Sequence, residues 1–443
     1  MRHNAFRGEV TRKNLLDWYR ATRERTRSLF DLVKPEAYYE RPIALRNPIV
    51  FYEGHLPGFS LNTLVKRALK QEGIDPQLET LFARGIDPED EAAVRSPTDV
   101  WPAREEVQAF AAACDARVES AIAEAQLEDD RIPHLRGGEA VFTIIEHELM
   151  HQETLLYMLH NLPHERKSSP VVSAAGRPYR RPLAGSDEQE PASRRRYGRL
   201  AAGTTTIPPG TVTLGAERGS AFGWDNEFPA LTVDVGAFEI DVHSVTNGQY
   251  LDYMNATGAA APHFWARGER EWFWRGMFDF TPLPLDAPVY VTHDEAAAYA
   301  QWKGKRLPTE AEFHRAAYGT PSGEERAHPW GDAPPDSTRG HFDFASYEPV
   351  DAGSHPDGVS AWGVHDLVGN GWEWTSSIFN GFPGFTPMPS YPEYSADFFD
   401  EAHYVLKGAS PVTSSALIRR SFRNWFRPNY PYMFAKFRCV SCT

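Results

Sequence analysis

Cysteine is nearly absent: only Cys114, Cys439 and Cys442 occur in 443 residues. That excludes a disulfide framework. Cys439 and Cys442 form a C-x-x-C near the C-terminus, half of a zinc site at most, and the expectation is a free pair in a reducing cytoplasm. Long apolar runs are missing too. No stretch approaches the roughly 20 residues of a membrane span, and Met1-Arg2-His3-Asn4 opens no apolar leader, so a cytoplasmic protein with no membrane partner is expected. Positive charge is in deficit, with 46 Lys and Arg against 60 Asp and Glu and a net charge of −14. A nucleic acid is therefore not the expected partner. There is no phosphate-cradling glycine loop and no G-x-S-x-G nucleophile elbow.

What is present divides into two textures. The chain is 41% hydrophobic and 24% charged, which predicts a folded protein long enough for two or three domains. From Thr11 to Val33, Leu15, Tyr19, Leu29, Phe30 and Val33 recur at helical spacing. A second helix is predicted from Asn47 to Leu69, with Pro48 in its first turn and a kink expected at Pro57. After a polar, acidic stretch that includes Asp87-Pro88-Glu89-Asp90-Glu91, a third helix is expected from about Ala103 to Glu124. A fourth follows from Ala140 to Leu159. Residues 1–165 thus read as a four-helix bundle, and 166–205, rich in Ser, Pro, Gly and Arg, as a linker. Its Arg194-Arg195-Arg196 run reads as a solvated connector. From 206 to 443 short β-type runs alternate with Gly, Pro and Asp turns. Most of the 12 tryptophans fall there, so loops packed around buried indoles are expected. The fold class is α+β.

The chemistry concentrates in Glu146-His147-Glu148-Leu149-Met150-His151-Gln152-Glu153, inside the fourth helix. Positions i and i+4 of a helix share a face, so His147 and His151 can address one divalent transition metal. The same letters satisfy H-E-x-x-H, the zinc-protease pattern, with Glu148 as general base. Thr154 stands where the metzincin extension needs Gly. A third ligand must decide between these readings.

Several phrases of the second half resemble the formylglycine-generating-enzyme, or sulfatase-modifying-factor, fold, a C-type-lectin-like domain. They include Val245-Thr246-Asn247-Gly248-Gln249-Tyr250, Arg306-Leu307-Pro308-Thr309-Glu310, Gly369-Asn370-Gly371-Trp372-Glu373-Trp374 and Phe437-Arg438-Cys439. Formylglycine-generating enzymes hold copper with a cysteine pair inside this domain. Here the domain's only cysteines stand at its end, which argues against that activity. The first half resembles the DinB-type four-helix domain. The combination is similar to the EgtB-like sulfoxide synthases of ergothioneine biosynthesis and to the related selenoneine synthases. In that family a Y-x-G-H segment and an H-x-x-x-H-x-E helix supply three histidines to one iron(II). Tyr52-Glu53-Gly54-His55 and His147-Glu148-Leu149-Met150-His151-Gln152-Glu153 match both. The resemblance implies His55, His147 and His151 as metal ligands, Fe(II) as cofactor, and hercynine (N-α-trimethylhistidine), O2 and a thiol or selenosugar donor as partners.

It implies more by position. Arg423-Asn424-Trp425 matches the family's substrate-binding segment and assigns Asn424 and Trp425 to hercynine, whose trimethylammonium favours aromatic faces. A tyrosine near the iron serves as proton or hydrogen-atom donor, with a second three residues on. Tyr391 and Tyr394 match, and Tyr52, three residues before His55, is a rival. Where γ-glutamylcysteine-using members have Gln and Asp, this chain has Met150 and Phe426. Their close arginine pair is not matched, since Arg84 and Arg95 are far apart, and Arg95 is retained as a substrate-binding candidate. Loss of charged anchors points to a less charged donor, such as a selenosugar. The reading is then a nonheme iron enzyme forming a C–Se or C–S bond to hercynine. An ergothioneine-type synthase using cysteine or γ-glutamylcysteine, a metal-dependent hydrolase or thiol transferase, and a non-catalytic binding module are the alternatives.

Overall fold

The computed structural model describes residues 1–83 except Arg7, 101–168 and 203–442. Helix α1 (Arg12–Phe30) starts at Thr11, whose hydroxyl and Asn14 form a reciprocal capping box. It buries Leu15, Tyr19, Leu29 and Phe30, but also Arg23 and Thr26. Helix α2 (Ile49–Ser60) runs through Pro57 and continues as a π-helical stretch, Leu61–Ala68. The expected kink at Pro57 is therefore not a break. Proline withholds one N–H, and the ladder resumes with wider spacing, as in Leu69 N–H donating to the Leu64 carbonyl at 3.0 Å. A short α3 (Pro76–Leu81) is capped by Asp75. Helix α4 (Arg104–Glu124) and α5 (Glu139–Asn161) complete the bundle. Gly138, with φ of 82°, makes the left-handed turn into α5, which an L side chain would resist. Each of α1 and α2 packs on both α4 and α5. Among the described residues no helix is long and apolar enough to cross a membrane.

The second half opens with β1 (Thr204–Ile207), β2 (Gly210–Leu214), β3 (Leu231–Val235) and β4 (Phe238–Asp241). Helix α6 (Asn247–Thr257) follows, then β5 (Trp265–Arg267), β6 (Trp272–Arg275) and β7 (Phe280–Pro282). Helices α7 (His293–Trp302) and α8 (Glu310–Tyr318) precede β8 (Gly371–Ile378), β9 (Tyr404–Ala409), β10 (Asn424–Phe426), β11 (Ala435–Lys436) and β12 (Val440–Cys442). The sheet that matters for the site has the order β10-β9-β8-β11. Antiparallel β9–β10 pairing sets Asn424 against Leu406, Trp425 against Val405 and Phe426 against Tyr404. Trp224, Trp274, Trp372 and Trp374 are fully buried, so indoles do fill this domain's interior. The fold is α+β, a helical domain followed by a domain of small sheets. Most of the expected linker, 169–202, lies outside the described residues.

Candidate metal centre between the two domains

Helix α5 presents three different faces, and that division builds the site. Glu148 and Gln152 face α1. The Glu148 carboxylate accepts from Arg23 Nη1 at 2.7 Å and Thr26 Oγ1 at 2.5 Å, and Gln152 Nε2 donates to the Thr22 carbonyl and Thr26 Oγ1, both at 3.0 Å. Glu146, Met150 and Glu153 face the second domain. His147 and His151 face α2, where His55 meets them. One nitrogen from each of the three rings lies within 4.8 Å of the others. Ring centroids are 4.4 Å apart for His147–His151 and 5.4 Å for His55 to either.

The local electrostatics favour neutral imidazoles. Burial pushes His55 down to about 4, with its backbone hydrogen bond opposing the shift. Burial also holds His147 and His151 well below the usual histidine range, and the neighbouring histidines add to it. His55 Nδ1 donates to the Phe82 carbonyl at 2.9 Å, which leaves the Nε2 lone pair for a metal. Phe51 stacks on His55 at 4.8 Å and Phe59 on His147 at 3.6 Å. Two buried imidazoles and the half-buried His151 ring, all favoured neutral and with no carboxylate among them, suit iron, copper or zinc rather than magnesium or calcium. Glu148 is anchored to α1 through Oε1 while its buried Oε2 has no protein partner, so the carboxylate is oriented by Arg23 and Thr26 rather than by these histidines.

The comparisons with known proteins agree with the two halves. Residues 189–442 match the sulfatase-modifying factor enzyme 1-like domain, and residues 19–155 match the DinB superfamily. The hercynine oxygenase of Mycobacterium tuberculosis is 38% identical over 235 residues, 48% of this chain and 55% of its own length. Ergothioneine biosynthesis protein 1 of Neurospora crassa is 29% identical over 495 residues, 92% of this chain and 55% of its own. The hercynine oxygenase of Mycolicibacterium thermoresistibile is 34% identical over 349 residues, 73% of this chain and 72% of its own. The chain belongs to the hercynine oxygenase, or EgtB-like, family. It spans about half the length of the first two relatives.

The loop from β8 to β9 brings the second domain to the histidines. Tyr391 lies 5.2 Å from Phe59 and 6.0 Å from His147, ring to ring. Tyr52, on α2, is 5.7 Å from His151. Tyr394 sits one ring further out, 5.7 Å from Tyr391, with its hydroxyl 3.1 Å from Met150 Sδ. Burial raises its hydroxyl well above the usual tyrosine range, aided by Asp225 and Glu227. Trp425 stacks on Phe379 at 4.2 Å and meets Tyr394 edge-on at 5.2 Å, so it reaches the cluster through the tyrosines. Asn424, Phe426 and Met150 line a cavity of about 80 Å³ with Tyr157, Trp372 and Phe422. Arg423 is not part of it: its guanidinium is bound to Glu310, at 3.0 and 3.1 Å. Arg84 and Arg95 lie outside the described residues.

Several contributors were not read from the sequence. Phe59 is one helical turn beyond His55, a spacing that signals a shared face. The Phe82 carbonyl and Arg46 carry no such signal. Arg46 comes from the loop before α2, donates to Tyr430 Oη at 3.1 Å and lies over the Tyr157 ring at 5.5 Å. A larger cavity of about 600 Å³, between Gly215–Glu217, Ser220–Gly223 and Arg419–Ser421, contains none of the three histidines.

Proposed function

We propose that this chain is an iron(II)- and O2-dependent enzyme that joins hercynine to a thiol or selenol donor, as its named relatives suggest. The observation that carries the reading is the convergence of His55, His147 and His151 directly beneath the tyrosine loop of the second domain. The donor set fits the metal: burial favours neutral imidazoles, each with one free lone pair, and buried His147 Nδ1 and His151 Nδ1 have no protein partner. Bound iron(II) would supply activation of dioxygen and a point of attachment for sulfur or selenium.

The chain's own residues do the rest. Phe51, Phe59 and Tyr52 surround the imidazoles and keep water from them. Tyr391 is our assignment for the proton donor, since its ring stands beside Phe59 and His147, and Tyr52 is the second candidate. Trp425, Phe379 and Tyr394 form an aromatic wall that accepts a trimethylammonium without needing hydrogen bonds from it. Asn424 offers an amide beside that wall.

For the donor, Phe426 stacks on Tyr430 at 5.0 Å and borders Tyr157 at 6.4 Å. This apolar lining supports a donor of low charge, such as a selenosugar. A second reading has a specific observation behind it. Arg46 brings a guanidinium against Tyr157 and Tyr430, a positive charge beside this lining that favours cysteine or γ-glutamylcysteine over a neutral donor.

The test is aerobic incubation of iron-loaded protein with hercynine and each donor in turn, read by mass spectrometry. A coupled product that needs both iron and O2 is expected. Stoichiometric iron with no coupled product from any donor would turn the reading toward a binding module. Turnover without O2 would return it to a hydrolase or thiol transferase.

A further inference from the structure

The face of α5 that meets the second domain holds two buried carboxylates on either side of the histidine pair, seven residues apart. Glu146 accepts from Arg419 Nη1 at 2.6 Å and Nη2 at 2.9 Å. Glu153 accepts from Trp372 Nε1 at 2.7 Å, Ser410 Oγ at 2.6 Å and Thr413 Oγ1 at 2.8 Å. Both carboxylates are more than nine-tenths buried. Neither is a metal ligand, yet each is within two residues of one.

The polar chain does not end at Arg419. Its Nε and Nη2 reach Glu227 at 2.8 and 2.5 Å. Glu227 in turn accepts from the Trp224 backbone N–H at 2.8 Å and Ser421 Oγ at 2.6 Å. Trp224 stacks on Tyr394 at 4.0 Å. Asp225 accepts from Ser395 Oγ, and Asn226 Nδ2 donates to that oxygen at 2.9 Å, directly beside Tyr394. A continuous buried path therefore runs from the residue before His147 to the residue after Tyr394.

A buried ion pair is near break-even against a well-packed apolar substitute, so stability does not account for this arrangement. Geometry does. Planar guanidinium forks and a carboxylate with three donors each allow one orientation. We propose that Arg419 and Glu153 are positioning residues that set the distance between the three-histidine cluster, built by the first domain, and Tyr391 and Tyr394, delivered by the second. This rests on the proposed function for its consequence in turnover, but not for its geometry. A reactive group displaced by about 1 Å loses on the order of 100-fold in rate.

The test uses full-length protein with 3-fluorotyrosine incorporated, its Tyr391 and Tyr394 signals assigned with Y391F and Y394F. With Mn(II) bound, paramagnetic relaxation of those two signals reports their distance from the cluster. Arg419→Lys, Arg419→Met and Glu153→Leu are expected to keep one equivalent of metal. Their relaxation of the tyrosine signals falls roughly twofold, for the ~1 Å displacement that costs on the order of 100-fold in coupled product. O2 consumed per product rises with it. Glu153→Gln, which still offers Trp372 an acceptor, falls between. Wild-type relaxation and wild-type product per O2 in metal-loaded Arg419→Lys and Glu153→Leu would overturn the proposal. So would metal loss in step with loss of fold, which marks a merely structural role. If the wild-type protein couples no hercynine, the proposed function fails, and the relaxation comparison still decides the positioning.

Discussion

Gly54 is the sharpest place to perturb the metal centre without touching a ligand. A Cβ at this position would stand 2.5–2.6 Å from three ring atoms of Phe82. Real contacts of that kind need about 3.4 Å or more, so Phe82 must retreat by roughly 1 Å on overpacking grounds. It has little room, since Phe51, Trp101 and Phe110 surround its ring at 6.4, 6.3 and 5.8 Å. Phe82 also lends its carbonyl to His55 Nδ1 at 2.9 Å. A shift of about 1 Å would stretch that contact beyond hydrogen-bond range. Gly54→Ala should therefore cost about 1–3 kcal/mol by overpacking, offset by up to about 1 kcal/mol of helix propensity. Loss of the hydrogen bond behind His55 should weaken metal binding by about 10–100-fold. Urea unfolding gives the first number and iron(II) titration the second. Wild-type metal affinity in Gly54→Ala would refute the claim that glycine is required here so that Phe82 can hold the His55 ring.

Three further outcomes are expected. Glu148→Gln should lose about 1–3 kcal/mol of stability from its charged hydrogen bonds to Arg23 and Thr26, with iron stoichiometry and coupled turnover close to wild type. A fall of about 100-fold or more would restore it as a general base. Asp225, raised by burial to about 6 from 3.8, binds its proton more tightly folded than unfolded, so its contribution is full below about 4 and is lost as pH rises to about 6. That is worth about 3 kcal/mol, and Asp225→Asn should flatten the pH dependence of the urea midpoint across this window. Phe426→Asp with Met150→Gln should shift the kcat/KM ratio between donors toward γ-glutamylcysteine and away from a selenosugar. A wild-type enzyme that already prefers γ-glutamylcysteine would sink the charge argument behind it.

The helices and the His147–His151 pair were readable because both signals are periodic, whereas His55 entered only through the resemblance of Tyr52-Glu53-Gly54-His55 to the family's segment. Leu15, Tyr19, Leu29 and Phe30 repeat with the helix, and His147 and His151 differ by one turn, so each needs only local geometry. Pro57 was legible only in part, for the complementary reason. A missing N–H is a local fact, but whether the helix stops or re-registers depends on packing around it, and here α2 passes on into a π-helical stretch. The link between His55 and the Phe82 carbonyl spans 27 residues and uses backbone alone, so no side-chain letter announces it. Arg46 was opaque in the same way, being one arginine among many until the loop before α2 folds against Tyr430.

The carboxylates of α5 show where local reading ends. Glu146, Glu148 and Glu153 are the same letter within eight positions. Sequence pattern makes Glu148 the reactive one, through H-E-x-x-H, marks Glu153 only as the last letter of H-x-x-x-H-x-E with no role attached, and leaves Glu146 as an ordinary helix residue. The fold inverts that ranking. Glu148 turns one position past His147 and is bound through Oε1 by Arg23, a buried arginine on α1 that also meets Asp115. Glu146 and Glu153 turn the other way, into a domain whose contributing residues lie 192–273 positions from their partners along the path through Arg419, Glu153 and Glu227. Helical geometry puts Glu146 and Glu153, seven residues apart, on one face and turns Glu148 to another. Which direction holds chemistry, and which holds the two domains in register, is decided only when α1, α2 and the second domain close around α5.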